Sequence, residues 1–367
     1  MIRLTVPTLD EDDFDAVRQV LESGYLVQGE KVEEFEKLVA STVGCAEAVA
    51  TTSGTAALFL ALGVLETKPG QKIAVTSYSW PATSNVIELH EAEPIFIDID
   101  PRTFNLDTSL LARAIEEHEI AGIIPVHTFG QMADMKTIVR LANEAGAWVV
   151  EDSACALGAK RDGKPAGSYG DLGCFSFHPR KAITTGEGGM ITTNNRALAQ
   201  KLRVLRNHGL SREQNKAEFT LPAHNFRMTD IQGALGVTQM RKLPGVLHAR
   251  QEAAKVYDSL FEGSRVQIPF VCENSNPVFQ TYVVLLPSSA LRDHAILQLK
   301  SDGIESTIGT YHLPLTAYQM GKRSYRPGDF PSADTVFGRG LSLPLYAGIT
   351  VEEQRYVSEK LLAVLRD

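Results

Sequence analysis

Seven short apolar runs alternate with amphipathic segments between residues 45 and 195, and this alternation limits the possible folds more than any other feature. The runs are EAVATT, KIAVTS, PIFIDID, GIIPV, WVVED, CFSF and GMITT. Several are apolar nearly throughout and rich in valine and isoleucine, which suits strands buried on both faces. Helical segments are predicted between them, over residues 55–65, 83–90, 107–117 and 135–145. The alternation therefore predicts an α/β domain with a mostly parallel sheet.

A second pattern begins after Thr229, where a long helical segment is predicted to break or bend near Pro244 and Gly245 before resuming through Leu260. Four further elements are predicted beyond it: a strand over 279–286, a helix over 290–300, a strand over 304–308 and a helix over 351–366. We therefore predict two domains, residues 1–242 and a smaller α/β domain over 243–367. The N-terminal segment is free to pack against the smaller domain.

Charge and cysteine content exclude several classes of protein. The net charge of -8 provides no general basic field for nucleic acid, so an anionic ligand would need a local pocket. The four cysteines show neither CxxC nor zinc-finger spacing, so we expect no metal site, no disulfide framework and a reduced, cytoplasmic setting. The first residues lack the apolar region of a signal peptide, and no apolar run is long enough to span a membrane.

The segment SGTAAL, residues 53–58, follows a predicted strand and opens an apolar helix. A glycine at position 54 lets the backbone approach a ligand closely, and a helix N-terminus offers free N–H groups to an anion. The segment therefore suits a phosphate group. It equally suits an ordinary N-cap, formed by Ser53 or Thr55, and the residues alone leave both interpretations open.

Two ionisable residues follow predicted strands. Asp152 ends the run WVVED, and the carboxyl ends of strands are where α/β sheets place ligand-binding groups. Its carboxylate could pair with a protonated ring nitrogen, cap a helix or bind a ribose. Lys181 follows the run CFSF and precedes the loop GEGG, with Ser176 and His178 nearby. A surface charge is the ordinary role of a lysine, but a lysine held near a cationic or apolar site becomes a nucleophile.

Two glycine-containing segments partly match nucleotide-binding motifs. GAKRDGK, residues 158–164, matches the first seven positions of a P-loop, but Pro165 lacks the hydroxyl that binds magnesium. No apolar helix follows, so we predict a hairpin over 160–170 with its turn at Asp162 and Gly163. GEGG does not fit the pattern GxGxxG, which disfavours a nicotinamide-dependent dehydrogenase.

Together these segments resemble the DegT/DnrJ/EryC1/StrS family of sugar aminotransferases, which are fold-type I enzymes dependent on pyridoxal 5'-phosphate (PLP). The resemblance extends from SGYLVQGEKVEEFE near the start to SLPLYAGIT near the end. Between these it includes SGTAAL, SWPATSN, DIDPRTFNLD, PVHTFGQMADM, EDSACALGA, SFHPRKAITTGEGG and NFRMTDIQGALG. The fold that it implies is a large domain with a mostly parallel sheet and a smaller C-terminal α/β domain.

The resemblance also implies residues around the cofactor ring. Lys181 is similar to the catalytic lysine that holds PLP as a Schiff base and moves protons. Asp152 is similar to the partner of the pyridinium nitrogen, which keeps the ring protonated as an electron sink. Trp80 resembles the aromatic residue that stacks on the ring; a core tryptophan is the alternative, but its place in SWPATSN favours stacking. Cys155 stands where relatives usually carry histidine or glutamine against the ring.

Other residues are implied for the phosphate and for the subunit interface. Ser53, Gly54 and Thr55 resemble the residues that bind the phosphate, and Ser176 is expected to contribute a hydroxyl. Asn225 corresponds to an asparagine that reaches the phosphate of the neighbouring subunit's cofactor. That correspondence implies an obligate homodimer with shared active sites.

The resemblance predicts transfer of an amino group from an amino acid, L-glutamate, to a nucleotide-linked keto sugar. Some relatives replace the lysine with histidine and act as dehydratases, so Lys181 favours transamination. In TYHLPLT, Thr310 and Thr316 replace the two histidines of the family's HYPxPLH segment, which leaves the sugar open. RMTDIQGALG resembles members that aminate C4, which favours a 4-keto-6-deoxy hexose. The alternatives are a 3-keto sugar or cyclitol aminotransferase, and a non-catalytic PLP-binding regulatory protein.

The donor and the acceptor implied by the resemblance are therefore distinct small molecules. The donor is L-glutamate, and the acceptor is the keto group of a nucleotide-linked sugar. Neither a nucleic acid nor a membrane is an expected partner. The complete set of Lys181, Asp152 and Ser176 argues against a regulatory protein without turnover.

Overall fold

The computed structural model describes residues 1–213 and 216–366, which form twelve α-helices and seventeen strands. The helices are α1 (Glu11–Ser23), α2 (Glu30–Val43), α3 (Gly54–Val64), α4 (Ala82–Leu89), α5 (Thr108–Glu117), α6 (Met135–Ala145), α7 (Arg196–Leu205), α8 (Asp230–Leu260), α9 (Ser289–Ser301), α10 (Ala317–Arg323), α11 (Pro331–Arg339) and α12 (Val351–Val364). The first strands are β1 (Glu47–Thr51), β2 (Lys72–Thr76), β3 (Tyr78–Ser79), β4 (Glu93–Ile97), β5 (Ile120–Ile124), β6 (Trp148–Asp152), β7 (Lys160–Arg161), β8 (Lys164–Pro165) and β9 (Leu172–Ser176). The later strands are β10 (Gly189–Thr193), β11 (Leu210–Glu213), β12 (Lys216–Phe219), β13 (Ser275–Asn276), β14 (Tyr282–Leu285), β15 (Thr307–Ile308), β16 (Tyr311–His312) and β17 (Gly340–Leu343).

A seven-stranded sheet forms the centre of the fold, in the order β1-β10-β9-β6-β5-β2-β4. The pairings from β9 through β4 are all parallel, whereas β10 is antiparallel to both β9 and β1. Each of the seven apolar runs in the sequence forms one of these strands. The predicted α/β fold with a mostly parallel sheet is confirmed.

The connections in this region also follow the sequence pattern. The four predicted helices are α3, α4, α5 and α6, and each begins and ends within one residue of its predicted bounds. The predicted hairpin consists of β7 and β8, which pair antiparallel across a two-residue turn. Asp162 and Gly163 adopt φ angles of 53° and 79° in this turn, a conformation that Asp and Gly tolerate better than other residues.

A break or a bend is predicted near Pro244, and of the two the break is absent, because α8 runs continuously from Asp230 to Leu260. A proline removes one backbone donor and disfavours the preceding turn of a helix. Here the flanking residues Met240, Leu243 and Val246 are buried, and their packing holds the helix on both sides of the proline. Tertiary packing therefore outweighs the local preference.

The chain beyond α8 has a sheet and a core of its own. The sheet has the order β14-β17-β15, and α9 and α12 contribute to the core beside it. The N-terminus joins this part of the chain: Ile2 forms a parallel bridge with Ile304, and the Leu345 N–H donates to the Leu4 carbonyl oxygen over 3.1 Å. We propose residues 1–242 and 243–367 as the two domains, with the boundary inside α8. Among the described residues, no helix is long and apolar enough to cross a membrane.

Strand β1 lies at the edge of the central sheet, where a buried ion pair satisfies its backbone. Glu36 Oε1 accepts from the Ala50 N–H over 2.8 Å. Arg206 Nη1 donates to the Ala50 carbonyl oxygen over 2.8 Å and to Glu36 Oε1 over 2.5 Å. Both charged residues are buried. An edge strand with free backbone groups can pair with another chain, and this ion pair occupies both backbone groups of Ala50.

Replacing Arg206 with alanine should lower the free energy of unfolding by about 3 kcal/mol or more, because it leaves the Glu36 charge buried without a partner. Urea denaturation of the purified protein measures this loss. The matched control is Arg140→Ala, whose exposed guanidinium pairs with Glu144 over 2.8 Å on α6. The control should lose no more than about 1 kcal/mol. Equal losses of unfolding free energy in the two variants would contradict the proposed role of the ion pair at strand β1.

Candidate active site

The candidate site lies where the parallel strands β6 and β9 end. Asp152 is the last residue of β6 and stands opposite Cys174 of β9, two residues before Ser176. Burial raises the pKa of the Cys174 thiol well above its usual range, and the charges of Asp152 and Glu151 add to the effect. The thiol therefore stays protonated behind the site. This end of a parallel sheet is the usual place for ligand-binding groups.

The SGT segment forms a helix N-terminus that faces β9. The Ser53 hydroxyl accepts from the Ala56 N–H over 3.1 Å and caps α3, so the N-cap interpretation is correct for this residue. The N–H groups of Gly54 and Thr55 lie in the first turn, where no intrahelical acceptor exists. A Cβ added at Gly54 would lie 2.8 Å from the Cβ of Ser176. Glycine therefore allows the helix end to approach Ser176, and both can face one anion.

Asp152 is held by two hydrogen bonds. Its Oδ2 accepts from the Thr83 hydroxyl over 2.7 Å, and its Oδ1 accepts from the Ala154 N–H over 3.1 Å. Thr83 and Asp152 are only 1% and 5% exposed, so water competes little for these bonds. Thr83 lies in the first turn of α4 and was not predicted as a site residue. The segment SWPATSN contains several hydroxyl groups, and nothing in its spacing shows which one meets Asp152.

Trp80 lies two residues before the start of α4 and is 60% exposed, so it is not a core tryptophan. Its ring makes an edge-to-face contact with Tyr311, with 5.4 Å between the ring centroids. Tyr311 belongs to β16, which pairs with β3 just before Trp80. The exposed indole face is therefore available to a planar ring.

Lys181 lies in the turn after β9 and is half-buried. Its Nζ donates to Cys155 Sγ over 3.1 Å, and its backbone N–H donates to the His178 carbonyl oxygen over 2.8 Å. Burial lowers the pKa of His178, so its ring is neutral at pH 7 and its Nδ1 accepts from the Arg180 N–H over 3.2 Å. The Lys181 amine is thus hydrogen-bonded to Cys155 and is not a freely solvated surface charge.

A buried pair, His127 and Glu151, supports the strand end that carries Asp152. The Ala133 N–H donates to His127 Nδ1 over 3.2 Å, which places the ring proton on Nε2, and Nε2 donates to Glu151 Oε2 over 2.9 Å. The His127 N–H donates to the Asp152 carbonyl oxygen over 3.0 Å. Glu151 accepts three further N–H groups, from Gly167, Tyr169 and Gly170. Every oxygen of this buried carboxylate is therefore satisfied.

Asn225 is exposed and is not joined to the other predicted site residues by a side-chain contact in the described chain. It forms an isolated bridge with Asn207, and the next residue, Phe226, accepts from the Thr52 N–H over 3.1 Å. This contact brings the segment alongside the SGT turn. The role of Asn225 at a neighbouring subunit stays a prediction.

Each of the two threonines in TYHLPLT makes one hydrogen bond, Thr310 through its backbone and Thr316 through its side chain. The Thr310 N–H donates to the Tyr78 hydroxyl over 3.1 Å, and the Thr316 hydroxyl donates to the Leu313 carbonyl oxygen over 2.9 Å. The segment is fixed to the large domain through β16 and β3. Tyr311 of this segment faces Trp80, a contact that the sequence analysis did not anticipate.

These groups fit PLP in charge and in donor type. Lys181 offers an amine for the aldehyde, Asp152 a carboxylate for the ring nitrogen, and Trp80 an exposed face for the ring. The helix end at Gly54 and the adjacent Ser176 hydroxyl offer donors to the phosphate, and they lie close together because a Cβ at Gly54 would clash with Ser176. An α/β fold with this set of groups defines the class of PLP-dependent enzymes.

Comparison with known proteins defines the family. The model of the DegT/DnrJ/EryC1/StrS aminotransferase family matches residues 7–362, and the chain belongs to this family. It is 37% identical to GDP-perosamine synthase of Caulobacter vibrioides, over 95% of this chain and 94% of that protein. It is 32% identical to dTDP-3-amino-3,4,6-trideoxy-alpha-D-glucose transaminase of Micromonospora megalomicea, over 96% and 95%.

A solved structure shows the same fold. A Streptococcus pneumoniae protein, described as a sugar aminotransferase and solved in its PLP form, is 29% identical and superimposes with a TM-score of 0.94. The match covers 99% of this chain and 98% of that one. The protein is therefore a PLP-dependent aminotransferase with the fold that the sequence predicted.

Replacing Thr83 with valine should weaken PLP binding by about tenfold, because it removes one hydrogen bond to a charged group without changing the side-chain size. Titration of the apoenzyme with PLP, followed by tryptophan fluorescence, measures the dissociation constant. The matched variant Thr83→Ser keeps the hydroxyl and should lose much less affinity. Equal losses in the two variants would show that the hydroxyl does not orient Asp152.

Proposed function

We propose that this enzyme transfers an amino group from L-glutamate to the keto group of a nucleotide-linked sugar. The observation that carries the proposal is the joint position of Lys181 and Asp152 at the ends of adjacent strands, with the phosphate-binding turn beside them. Both relatives described above are named for nucleotide-linked amino sugars, one carrying GDP and the other dTDP. Those names support this substrate class.

We assign the cofactor-binding roles as follows. Lys181 attaches the cofactor and Asp152 faces its ring nitrogen, while Gly54, Thr55 and Ser176 bind its phosphate. Trp80 and Cys155 flank the ring, and the Ser53 hydroxyl fixes the helix end by capping α3. When bound, PLP supplies an electron sink for the carbon that loses or gains a proton.

The residues of this chain then perform the remaining chemistry. The amine of Lys181, once released from the cofactor, takes a proton from the substrate carbon and returns one as a general acid. Asp152 keeps a negative charge at the far end of the site, where its two hydrogen bonds fix its direction. Because Asp152 is buried, this charge acts in a region of low dielectric constant and is screened little by water.

The position of the keto group is the finer part of the proposal. We favour a 4-keto-6-deoxy hexose because RMTDIQGALG resembles members that aminate C4. In this segment Asp230 accepts from the Gly29 and Val32 N–H groups, and the Gln232 side chain donates to the Glu187 carbonyl oxygen. These contacts tie α8 to α2 and to the GEGG loop, so they act on the substrate only by placing those elements. The second candidate is a 3-keto sugar, which the name of the Micromonospora relative favours.

We also propose a homodimer in which Asn225 reaches the phosphate of the neighbouring subunit's cofactor. Asn225 is exposed in the single chain, which leaves its amide free to meet a partner. Mixing two inactive variants, Lys181→Ala and Asn225→Ala, tests this proposal. A shared site predicts that mixed dimers recover part of the activity, and activity that never recovers in mixed dimers would contradict it.

A half-reaction tests the substrate. The enzyme is first converted to its pyridoxamine phosphate form with L-glutamate, and the 2-oxoglutarate released is measured. It is then offered nucleotide-linked 4-keto-6-deoxy sugars and, in a matched arm, 3-keto sugars. The account predicts that a 4-keto sugar restores the PLP absorbance. Restoration by a 3-keto sugar alone would favour the second candidate, and a cofactor that glutamate never converts would indicate a regulatory protein.

A further inference from the structure

We propose that Cys155 is a positioning residue for Lys181, whose amine it holds in place whenever the amine is not bound to the cofactor. The inference rests on the proposed function of Lys181 and adds a role for a residue that differs from the family pattern. The family resemblance implies histidine or glutamine at this position, where this chain has Cys155.

The contact joins two turns that follow neighbouring strands. Cys155 lies in the turn after β6, three residues beyond Asp152, and Lys181 lies in the turn after β9. Their side chains meet over 3.1 Å, between Nζ and Sγ. Across residues 1–213 and 216–366, this is the single hydrogen bond made by the Lys181 amine. The position of that amine thus depends on Cys155.

The sulfur itself is held in a fixed place. Cysteine has one side-chain torsion before its sulfur, so its backbone largely decides where the thiol lies. That backbone packs closely against the loop after β5, because a Cβ added at Gly130 would lie 3.0 Å from the Cys155 carbonyl oxygen. Lys181 is the opposite case, since its long side chain can adopt many rotamers that point to solvent. A fixed acceptor restricts a flexible donor.

A thiol suits a temporary contact of this kind. Thiol sulfur is a weak hydrogen-bond acceptor, so it can restrict the amine and still release it to the cofactor or to the proton that it must move. Losing the acceptor lets the amine leave the site for part of the time. The proton-transfer rate then falls with the fraction of amine in place, whereas substrate binding is unaffected.

The first test compares Cys155→Ala, which removes the acceptor, with Cys155→Ser, which keeps one. Steady-state kinetics of amino transfer should show about a tenfold fall in kcat for the alanine variant, with KM unchanged. The serine variant should lose clearly less. Cys45→Ala is the matched control, because that thiol contacts backbone oxygens of Ala40 and Glu47 away from the site. It should retain the rate of the unaltered enzyme.

The second test probes the contact between Cys155 and Lys181 without requiring turnover. The apoenzyme is treated briefly with acetic anhydride, and acetylation of Lys181 is compared by mass spectrometry with that of exposed Lys160 as an internal reference. Lys181 should be acetylated several times faster in Cys155→Ala, where the amine is released, than in the unaltered protein. Cys155→Ser should stay closer to the unaltered protein.

The two tests separate the inference from the proposed function. If the unaltered enzyme does not transaminate, the proposed function fails while the acetylation ratio still reports on Cys155 and Lys181. If turnover is normal but Cys155→Ala changes neither kcat nor acetylation, the positioning role is overturned. Equal effects of serine and alanine would also overturn it, because side-chain volume and not the acceptor would then be responsible.

Discussion

Replacing Lys181 with alanine should lower the rate of amino transfer by at least about a thousandfold, because one substitution removes both the attachment point of the cofactor and the proton-transfer group. Its amine is half-buried beside Cys155, and no other lysine of the described chain is predicted to take part in the site. Steady-state assays with L-glutamate and a keto sugar measure the loss. The visible absorbance of enzyme-bound PLP should change in the same variant.

The matched control is Lys160→Ala. Lys160 is an exposed lysine on the hairpin strand β7, so its replacement removes the same charge without touching the site. Its turnover should match that of the unaltered enzyme. Substantial activity in Lys181→Ala would contradict the assignment, whereas equal losses in both variants would point to a general effect of charge.

Asp152→Asn should lower kcat by about a hundredfold or more, because it removes the charge that faces the ring nitrogen while keeping the size of the side chain. The Thr83 hydroxyl, which donates to Asp152 over 2.7 Å, can still donate to the amide oxygen of the variant, and only the bond from the Ala154 N–H is lost. The fold should therefore survive, and circular dichroism with thermal unfolding checks this. Rapid-mixing measurements of the glutamate half-reaction give the rate.

Asp12→Asn is the corresponding control, since Asp12 is exposed in the first turn of α1. It removes one acidic charge far along the sequence from the site residues and should leave kcat unchanged. A rate for Asp152→Asn within about twofold of the unaltered enzyme would show that the carboxylate charge contributes little to catalysis.

Much of the fold can be predicted from the sequence because a buried strand is revealed by the apolar residues of its own short segment. Strands such as β2 and β6 are buried along nearly their whole length, and the corresponding runs KIAVTS and WVVED each contain three consecutive apolar residues. The hairpin at Asp162 follows from its turn residues in the same way. The helix does not break at Pro244, one of the two outcomes predicted there, because α8 is held by packing with residues distant in the sequence, such as Phe35 and Phe177.

The same distinction between local and distant information applies to the residues of the site. Asp152 and Lys181 could be proposed because each follows a strand that the sequence reveals. The hydrogen bond from Thr83 to Asp152 joins residues 69 positions apart, and the contact from Lys181 to Cys155 joins residues 26 positions apart. Neither pairing leaves a local pattern. The homodimer and the role of Asn225 likewise depend on a second chain and stay predictions.

Borohydride reduction followed by peptide mapping tests the central claim most directly. Borohydride makes the reversible bond between a lysine and PLP permanent, and mass spectrometry of the digested protein then locates the modified residue. The account predicts that the cofactor is found on Lys181, in the peptide that follows SFHPR, and that Lys181→Ala carries none. PLP fixed on another lysine, with Lys181 unmodified, would contradict it.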